Sequence, residues 1–248
     1  MGGEEKTEND FSENDFSEEN DSQKEKEMDK RKNSQEESIV FPAKKNKTGT
    51  KVMSEEQIQE LLKPGKEFES KLNTVLEGMK EGTANLIVVS VKEYPIASKT
   101  IICYFNQKQI PGVYVTTNKP YRDLIKIPQT NPVTIHYIDV ITFLAGKETI
   151  EEPNVTYLDS PLALVEIDVF IQEELQKIAS SKKFLCMDSL STLLVYNSPQ
   201  SVEKFTHSVI SKNRQEKTII VLIMAESEEN ERVIDTLGQF VDQTTHIH

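Results

Sequence analysis

The sequence has few cysteines and no long apolar run, and both absences limit what the protein can be. Its two cysteines, Cys103 and Cys186, lie inside apolar segments, which excludes a disulfide framework and a zinc site built from cysteines. Free buried thiols are typical of a reducing cytoplasm. No apolar run approaches the ~20 residues that span a bilayer, and no signal peptide begins the chain. We therefore expect a cytoplasmic protein without a membrane span.

Apolar residues are also scarce, at 36% of 248 residues, and they are unevenly distributed. Only 8 of the 51 residues in 1–51 are apolar. A segment so polar and charged cannot bury enough apolar surface to offset the conformational entropy lost on folding. Residues 1–51 are therefore predicted to be a disordered leader. Residues 52–82 follow as a helical lead-in, and 83–248 as one folded domain.

The charge of the leader comes in two blocks, −8 over residues 1–23 and +4 over residues 24–51. The basic block contains Ile39-Val40-Phe41-Pro42 followed by Lys44-Lys45-Asn46-Lys47, which is either a solvated tail or a peptide that docks on a partner. Basic residues also suit nucleic acid. However, the whole chain carries −12, which leaves −8 for residues 52–248 and disfavours an extended nucleic-acid surface. We expect protein partners or self-assembly instead.

Two helices are predicted before the domain. Ser54-Glu55-Glu56-Gln57 is a capping-box pattern that starts the first helix, and Pro64-Gly65 interrupts it. Gly82 is expected to end the second helix. That helix has one apolar stripe, formed by Phe68, Leu72, Val75, Leu76 and Met79. This stripe indicates a packing helix.

From Ala84 onward, short β-branched runs alternate with helical stretches. The predicted strands are Leu86–Val91, Val113–Thr117, Thr134–Ile138, Phe184–Asp188, Thr218–Met224 and Thr244–Ile247. The predicted helices are Ala97–Gln109, Tyr121–Ile125, Leu162–Ala179, Val202–Lys212 and Glu231–Phe240. Apolar strands that alternate with helices predict a three-layer α/β domain with a mainly parallel sheet. Ligands of such domains bind at the carboxyl ends of the strands.

The loop after the first strand partly matches a phosphate-binding loop, GxxxxGK[ST]. Lys99 and Thr100 stand in register with the motif, but Glu93 and Ser98 replace its glycines. Pro95 also removes a backbone donor. The loop is therefore either eroded, or an unusual one in which Ser98, Lys99 and Thr100 still hold phosphate.

An aspartate ends the apolar strand Phe184–Asp188. This is the Walker B arrangement, in which the carboxylate holds Mg²⁺. Asp188 equally suits a cap for the following segment. Other candidates are weaker: Asp139 faces a ligand crevice or caps a turn, Cys103 has no histidine paired with it in the sequence, and His246-Ile247-His248 offers two metal ligands at best.

Three stretches resemble the RecA superfamily, especially its archaeal KaiC-like and RadA-like branch. They are Asp188–Leu194 (Asp-Ser-Leu-Ser-Thr-Leu-Leu), Gly112–Pro120 and Val133–Thr142. They occur in the family's order within residues 84–247, and are most similar to uncharacterised archaeal KaiC-like proteins with a degenerate Walker A loop. The resemblance implies a three-layer RecA-like domain of the P-loop NTPase type.

The sequence departs from that family where water is activated. KaiC-like ATPases carry a pair of glutamates after the second core strand, and Asn118 and Lys119 stand at the matching positions. Neither an amide nor an ammonium can act as the general base. The resemblance then implies a pseudo-ATPase, not an enzyme, that serves as a regulatory or scaffolding protein in archaeal signal transduction. No cofactor is expected for it.

Two alternatives remain. The first is an ATP-binding KaiC-like protein with slow or no hydrolysis, in which Ser98, Lys99 and Thr100 meet phosphate and Asp188 holds Mg²⁺. The second is a DNA-associated recombinase paralogue, which the acidic domain disfavours.

Overall fold

A computed structural model describes residues 65–127 and 132–248. In these two stretches the chain forms a seven-stranded sheet in which every strand pair is parallel, with the order β4-β3-β2-β5-β6-β1-β7. The strands are β1 (Ala84–Val89), β2 (Gly112–Thr116), β3 (Ile135–Asp139), β4 (Val155–Tyr157), β5 (Phe184–Asp188), β6 (Ile219–Ala225) and β7 (Gln243–Ile247). The α/β fold with a parallel sheet is thus confirmed.

Helices cover both faces of the sheet. They are α1 (Lys66–Gly78), α2 (Tyr94–Gln107), α3 (Tyr121–Leu124), α4 (Leu164–Lys177), α5 (Leu190–Tyr196), α6 (Pro199–Gln215) and α7 (Glu231–Gly238). Helices α1 to α3 pack on one face, and α4 to α7 pack on the other. Because consecutive strand residues point to opposite faces, Leu86 and Val88 enter one core while Ile87 and Val89 enter the other. This produces three layers.

The strands most buried on both faces were the easiest to predict. The bounds of β5 agree with the prediction, β2, β3 and β6 are displaced by one residue, and β1 is displaced by two. The short strand β4 and the helix α5 were not predicted. Strand β4 has three half-buried residues at the edge of the sheet, so it gives a weak apolar signal. Helix α5 starts directly after β5, where Ser189 caps it by accepting a hydrogen bond from the N–H of Thr192.

Two helix boundaries near the start of the described chain were wrong. Helix α1 ends at Gly78, whereas Gly82 forms a turn with φ +76° and donates its N–H to the carbonyl oxygen of Thr218 at 3.2 Å. Helix α2 begins at Tyr94, three residues before the predicted start, because Pro95 is tolerated in the first helical turn. The predicted leader and the capping box at Ser54 lie outside the described residues.

None of the helices within the described part of the chain is long and apolar enough to cross a membrane.

Candidate functional site at the carboxyl edge of the sheet

The connections that follow β2 and β5 run to opposite sides of the sheet, so a ligand crevice is expected between these two strands. After β2 the chain continues to β3 on one side, whereas after β5 it continues to β6 on the other side. In parallel sheets, ligands bind at such a switch point, outside the carboxyl ends of the strands. Thr117 directly follows β2, and Asp188 is the last residue of β5. The sequence-predicted Asp188 therefore lies where the fold places ligand chemistry.

Hydrogen bonds join the two strand ends at this switch point. The N–H of Thr117 donates to the carbonyl oxygen of Asp188 at 2.7 Å. The hydroxyl of Thr117 donates to the carbonyl oxygen of Ser189 at 2.8 Å and accepts from the N–H of Ser189 at 2.7 Å. The Asp188–Ser189 peptide bond is cis. Thr117 and Ser189, the residues that directly follow the two strands, are thus hydrogen-bonded to each other.

The carboxyl group of Asp188 is buried and is paired with a tyrosine. Tyr114 donates its hydroxyl to Oδ2 of Asp188, and both side chains are almost completely buried. Oδ1 of Asp188 has no hydrogen-bond partner within the described chain. Burial raises the pKa of Asp188 to about 8. A carboxyl group in this setting holds its proton at neutral pH. In that neutral form, Asp188 is a poor metal ligand.

Of the three residues predicted to hold phosphate, Ser98 is hydrogen-bonded to Tyr114, the partner of Asp188. Burial raises the pKa of Tyr114 well above its usual value, and the hydrogen bond with Ser98 partly opposes this shift. Ser98 also donates to the carbonyl oxygen of Tyr94 within helix α2 at 3.3 Å. We name Ser98, Tyr114 and Asp188 the Asp188 cluster.

Lys99 and Thr100 lie on another side of helix α2. Both line a groove against helix α1, together with Glu69 and Cys103. Lys99 is exposed, whereas Thr100 is buried and its hydroxyl has no hydrogen-bond partner in the described chain. The helix therefore does not present Ser98, Lys99 and Thr100 together, and phosphate binding by this set stays a prediction.

The start of helix α2 lacks the free donors that a phosphate loop needs. Tyr94 donates its N–H to Ser90, and Ile96 and Ala97 donate theirs to Glu93, all to carbonyl oxygens at 2.9 to 3.1 Å. Pro95 has no N–H. The side chain of Glu93 accepts from the hydroxyl of Ser90 at 2.7 Å, so a carboxylate also lies here. Within this described turn, the residues fit a Mg²⁺-nucleotide poorly.

The positions that match the water-activating glutamates do not contribute a base. Asn118 is exposed, and the carbonyl oxygen of Lys119 accepts a hydrogen bond from the hydroxyl of Thr116. Burial lowers the pKa of the Lys119 amine. A backbone carbonyl oxygen thus anchors the loop of residues 117–120, and none of the side chains in this loop is a carboxylate.

Asp139 caps a turn, which decides between the two readings that the sequence left open. Its carboxylate accepts four hydrogen bonds of 2.6 to 2.9 Å: from the N–H groups of Tyr121, Ile141 and Thr142, and from the hydroxyl of Thr142. These bonds fix the start of α3 and the turn after β3. No oxygen of Asp139 is left over for a ligand in this arrangement.

The cysteines and the internal histidine occupy structural positions. Burial raises the pKa of both thiols, so neither is an activated nucleophile. His136 lies on β3, where Nδ1 is 3.3 Å from a carboxylate oxygen of Glu174 and Nε2 is 3.0 Å from the hydroxyl of Thr156. Burial lowers the pKa of His136.

Tyr114 is the member of the Asp188 cluster that the sequence analysis missed. Only the pairing register of β2 and β5 shows that Tyr114 lies close to Asp188, and this register cannot be read from the sequence. Thr116 pairs with Asp188, and Tyr114, two residues earlier, points to the same face of the sheet. A tyrosine side chain is long enough to reach across to this diagonal neighbour.

Comparison with known proteins identifies the family. The pattern of a family of unknown function (DUF7504) matches residues 107–247, which is more than half of the chain. The chain belongs to the DUF7504 family. The matched range contains Tyr114 and Asp188 but not Ser98. No curated protein matches the chain.

Two solved structures with a similar chain path come from Pyrococcus horikoshii. A KaiC-like protein from Pyrococcus horikoshii OT3 is 15% identical, with a TM-score of 0.42 over 60% of this chain and 63% of that protein. An uncharacterized protein from Pyrococcus horikoshii, solved in complex with an unknown peptide, is 12% identical, with a TM-score of 0.49 over 71% of this chain and 82% of that protein. The DUF7504 chain thus spans less than two thirds of the KaiC-like protein.

Proposed function

We propose that this DUF7504 protein is a regulatory or scaffolding protein with a RecA/KaiC-like fold that does not hydrolyse ATP. The observation that carries the proposal is the first turn of helix α2, where the available N–H groups of Tyr94, Ile96 and Ala97 are bonded to carbonyl oxygens of the same loop. Phosphoryl transfer depends on positioned donors, a metal ion and an oriented water. A role in archaeal signal transduction, in a cytoplasmic setting, is part of the same proposal.

The exposed face of helix α4 supports the protein-binding part of the proposal. Leu162 lies in the turn just before α4, and Val165 and Val169 follow it at helical spacing on α4. Their exposed fractions are 62%, 80% and 48%. The opposite face of this helix is buried through Ile167, Ile171 and Leu175. Because one face already packs on the sheet, the exposed apolar stripe is free to contact another protein.

The parent protein is expected to show little response to Mg²⁺-ATP. We expect its melting temperature to change by less than about 1 °C, because no nucleotide binds. A ligand that did bind, at 100 times its Kd, would add about 2.7 kcal/mol and raise the melting temperature of a domain of this size by roughly 5–10 °C. Differential scanning fluorimetry with and without nucleotide measures the shift. Phosphate release should equal that of Lys99→Ala, because Lys99 lies in the groove between helices α1 and α2.

The alternative is a protein that binds ATP and turns it over slowly or not at all. The observation in its favour is that Oδ1 of Asp188 is buried and has no hydrogen-bond partner in the described chain. In this alternative, a water molecule of a hydrated Mg²⁺ donates a hydrogen bond to that oxygen. A shift of 5 °C or more in the parent that Asp188→Asn or Lys99→Ala removes would favour this alternative and contradict our proposal.

Self-association through helix α4 is expected to depend on its exposed stripe. Val165→Lys places a charge in the middle of the stripe without touching the core, so it should shift a dimer towards monomer by at least tenfold in Kd. Sedimentation equilibrium measures the change, with Glu166→Lys, an exposed neighbour on the same helix, as the matched control. A parent protein that stays monomeric at ~100 µM would contradict self-assembly.

A further inference from the structure

We propose that Glu226, His246 and His248 form a binding site for a transition-metal dication such as Zn²⁺. One ligand atom from each of the three side chains lies within 4.8 Å of the other two. Nδ1 of His246 is 3.7 Å from Oε1 of Glu226, and Nδ1 of His248 is 3.5 Å from Oε2 of Glu226. The site is formed by the end of strand β7 and by the first residue after strand β6, and it includes no member of the Asp188 cluster.

The fold brings the three residues together from distant parts of the sequence. Val89 at the end of β1 pairs with Ala225 of β6 on one side and with Ile247 of β7 on the other. Glu226 follows Ala225 and donates its N–H to the carbonyl oxygen of Val89 at 2.8 Å. Its side chain therefore stands at the end of β1, beside the last residues of β7.

Strand alternation places the two histidines on one face. Ile247 is buried, and the histidines before and after it are exposed on the opposite face. Their ring centroids are 6.4 Å apart. Lys71 of helix α1 donates to the backbone carbonyl oxygen of His248 at 2.9 Å, which fixes the chain at this ligand. Both imidazoles and the carboxylate are accessible to an ion from solvent.

The donor set selects the type of metal. Two imidazole nitrogens and one carboxylate oxygen suit Zn²⁺ and related transition-metal ions, whereas Mg²⁺ and Ca²⁺ prefer oxygen ligands. With metal–ligand bonds of about 2.0–2.1 Å, tetrahedral ligand atoms lie roughly 3.4 Å apart. The exposed side chains need to move by only about an ångström to meet this distance. Three protein ligands also leave one position of a tetrahedral ion for water or for a partner's side chain.

A bound ion would connect the last strand to the loop after β6. Because metal binding to the folded state stabilises it by mass action, Zn²⁺ should raise the melting temperature of the parent protein. With a Kd of ~10 µM, 100 µM Zn²⁺ is expected to raise it by about 3–6 °C. The full chain is used, in metal-free buffer.

The test compares variants inside and outside the cluster. His246→Ala and Glu226→Gln should weaken Zn²⁺ binding by about tenfold or more in isothermal titration. His207→Ala removes an exposed histidine that instead contacts the ring of Phe240, and it should bind as the parent does. All four histidines of the sequence lie in the described part of the chain, so these variants together with His248→Ala cover every exposed imidazole.

A second readout separates this site from binding to acidic surfaces. Co²⁺ bound to two imidazoles and a carboxylate gives visible absorption bands that depend on the ligands, and His248→Ala should abolish them. Mg²⁺ at the same concentration should give no shift in melting temperature. The proposal is overturned if the parent shows no Zn²⁺ binding at ~100 µM, or if His246→Ala and His207→Ala bind Zn²⁺ equally.

Discussion

Replacing Asp188 with asparagine is expected to make the stability of the protein less sensitive to rising pH. Burial raises the pKa of Asp188 to about 8, whereas aspartate in an unfolded chain titrates near 3.9. Between about pH 4 and pH 8 the folded protein therefore holds a proton that the unfolded chain has lost. The free energy of unfolding falls as the pH rises through this window, by at most about 1.4 kcal/mol per pH unit from this group.

Urea unfolding at pH 5.5 and pH 7.5 measures this effect. The asparagine side chain has no titrating carboxyl group, so the stability of Asp188→Asn relative to the parent should increase by about 2 kcal/mol between the two pH values. Asp159→Asn, which changes an exposed aspartate, should follow the parent at both. If the parent and Asp188→Asn lose equal free energy over this interval, Asp188 does not titrate as described.

Gly112→Ala is expected to destabilise the domain by about 3 kcal/mol. A Cβ at this position would lie 2.3 Å from Cδ1 and 2.3 Å from the carbonyl oxygen of Phe184. The ring of Phe184 cannot move away easily, because it stacks on Phe105 with the ring centroids 3.8 Å apart. The carbonyl oxygen belongs to strand β5, which pairs with β2 at this residue. Relief of the clash would therefore disturb the centre of the sheet.

Gly78→Ala is the matched control for this substitution. Apart from its chain neighbours and the backbone of its own helix, no atom lies within 4 Å of a Cβ built at Gly78, which ends helix α1. Alanine should therefore be neutral or add up to about 1 kcal/mol. Urea unfolding followed by circular dichroism compares both variants with the parent. A free energy of unfolding for Gly112→Ala within about 1 kcal/mol of the parent would contradict the close packing of β2 on β5.

The sequence determined the order of the buried elements because their signal is local. Consecutive β-branched or apolar residues, as in Phe184–Asp188 and Ile219–Ala225, identify a strand that is buried on both faces. The short edge strand Val155–Tyr157 lacks this signal, since its residues are only half-buried. The boundary at Tyr94 was misjudged because Pro95 interrupts some helices yet starts others, and the loop geometry decides which.

The sequence also located Asp188, because an aspartate at the end of an apolar strand is a local pattern. It could not name the partner of this carboxyl group. Tyr114 is 74 residues away and meets Asp188 only because β2 and β5 are neighbours in the sheet. The roles of Asp139 and Lys99 were decided in the same way, by hydrogen bonds around a turn and by the side of helix α2 that faces helix α1.

By itself the sequence determined the fold class, the succession of strands and helices, and the strand ends where polar residues gather, since these follow from residue size, polarity and period along the chain. Only the tertiary structure decided which strands are neighbours, and with them the enclosure of Asp188 by Tyr114 and the meeting of Glu226 with His246 and His248. Strand order is set by packing between segments far apart in the chain. A single sequence, read along its length, does not contain those distances.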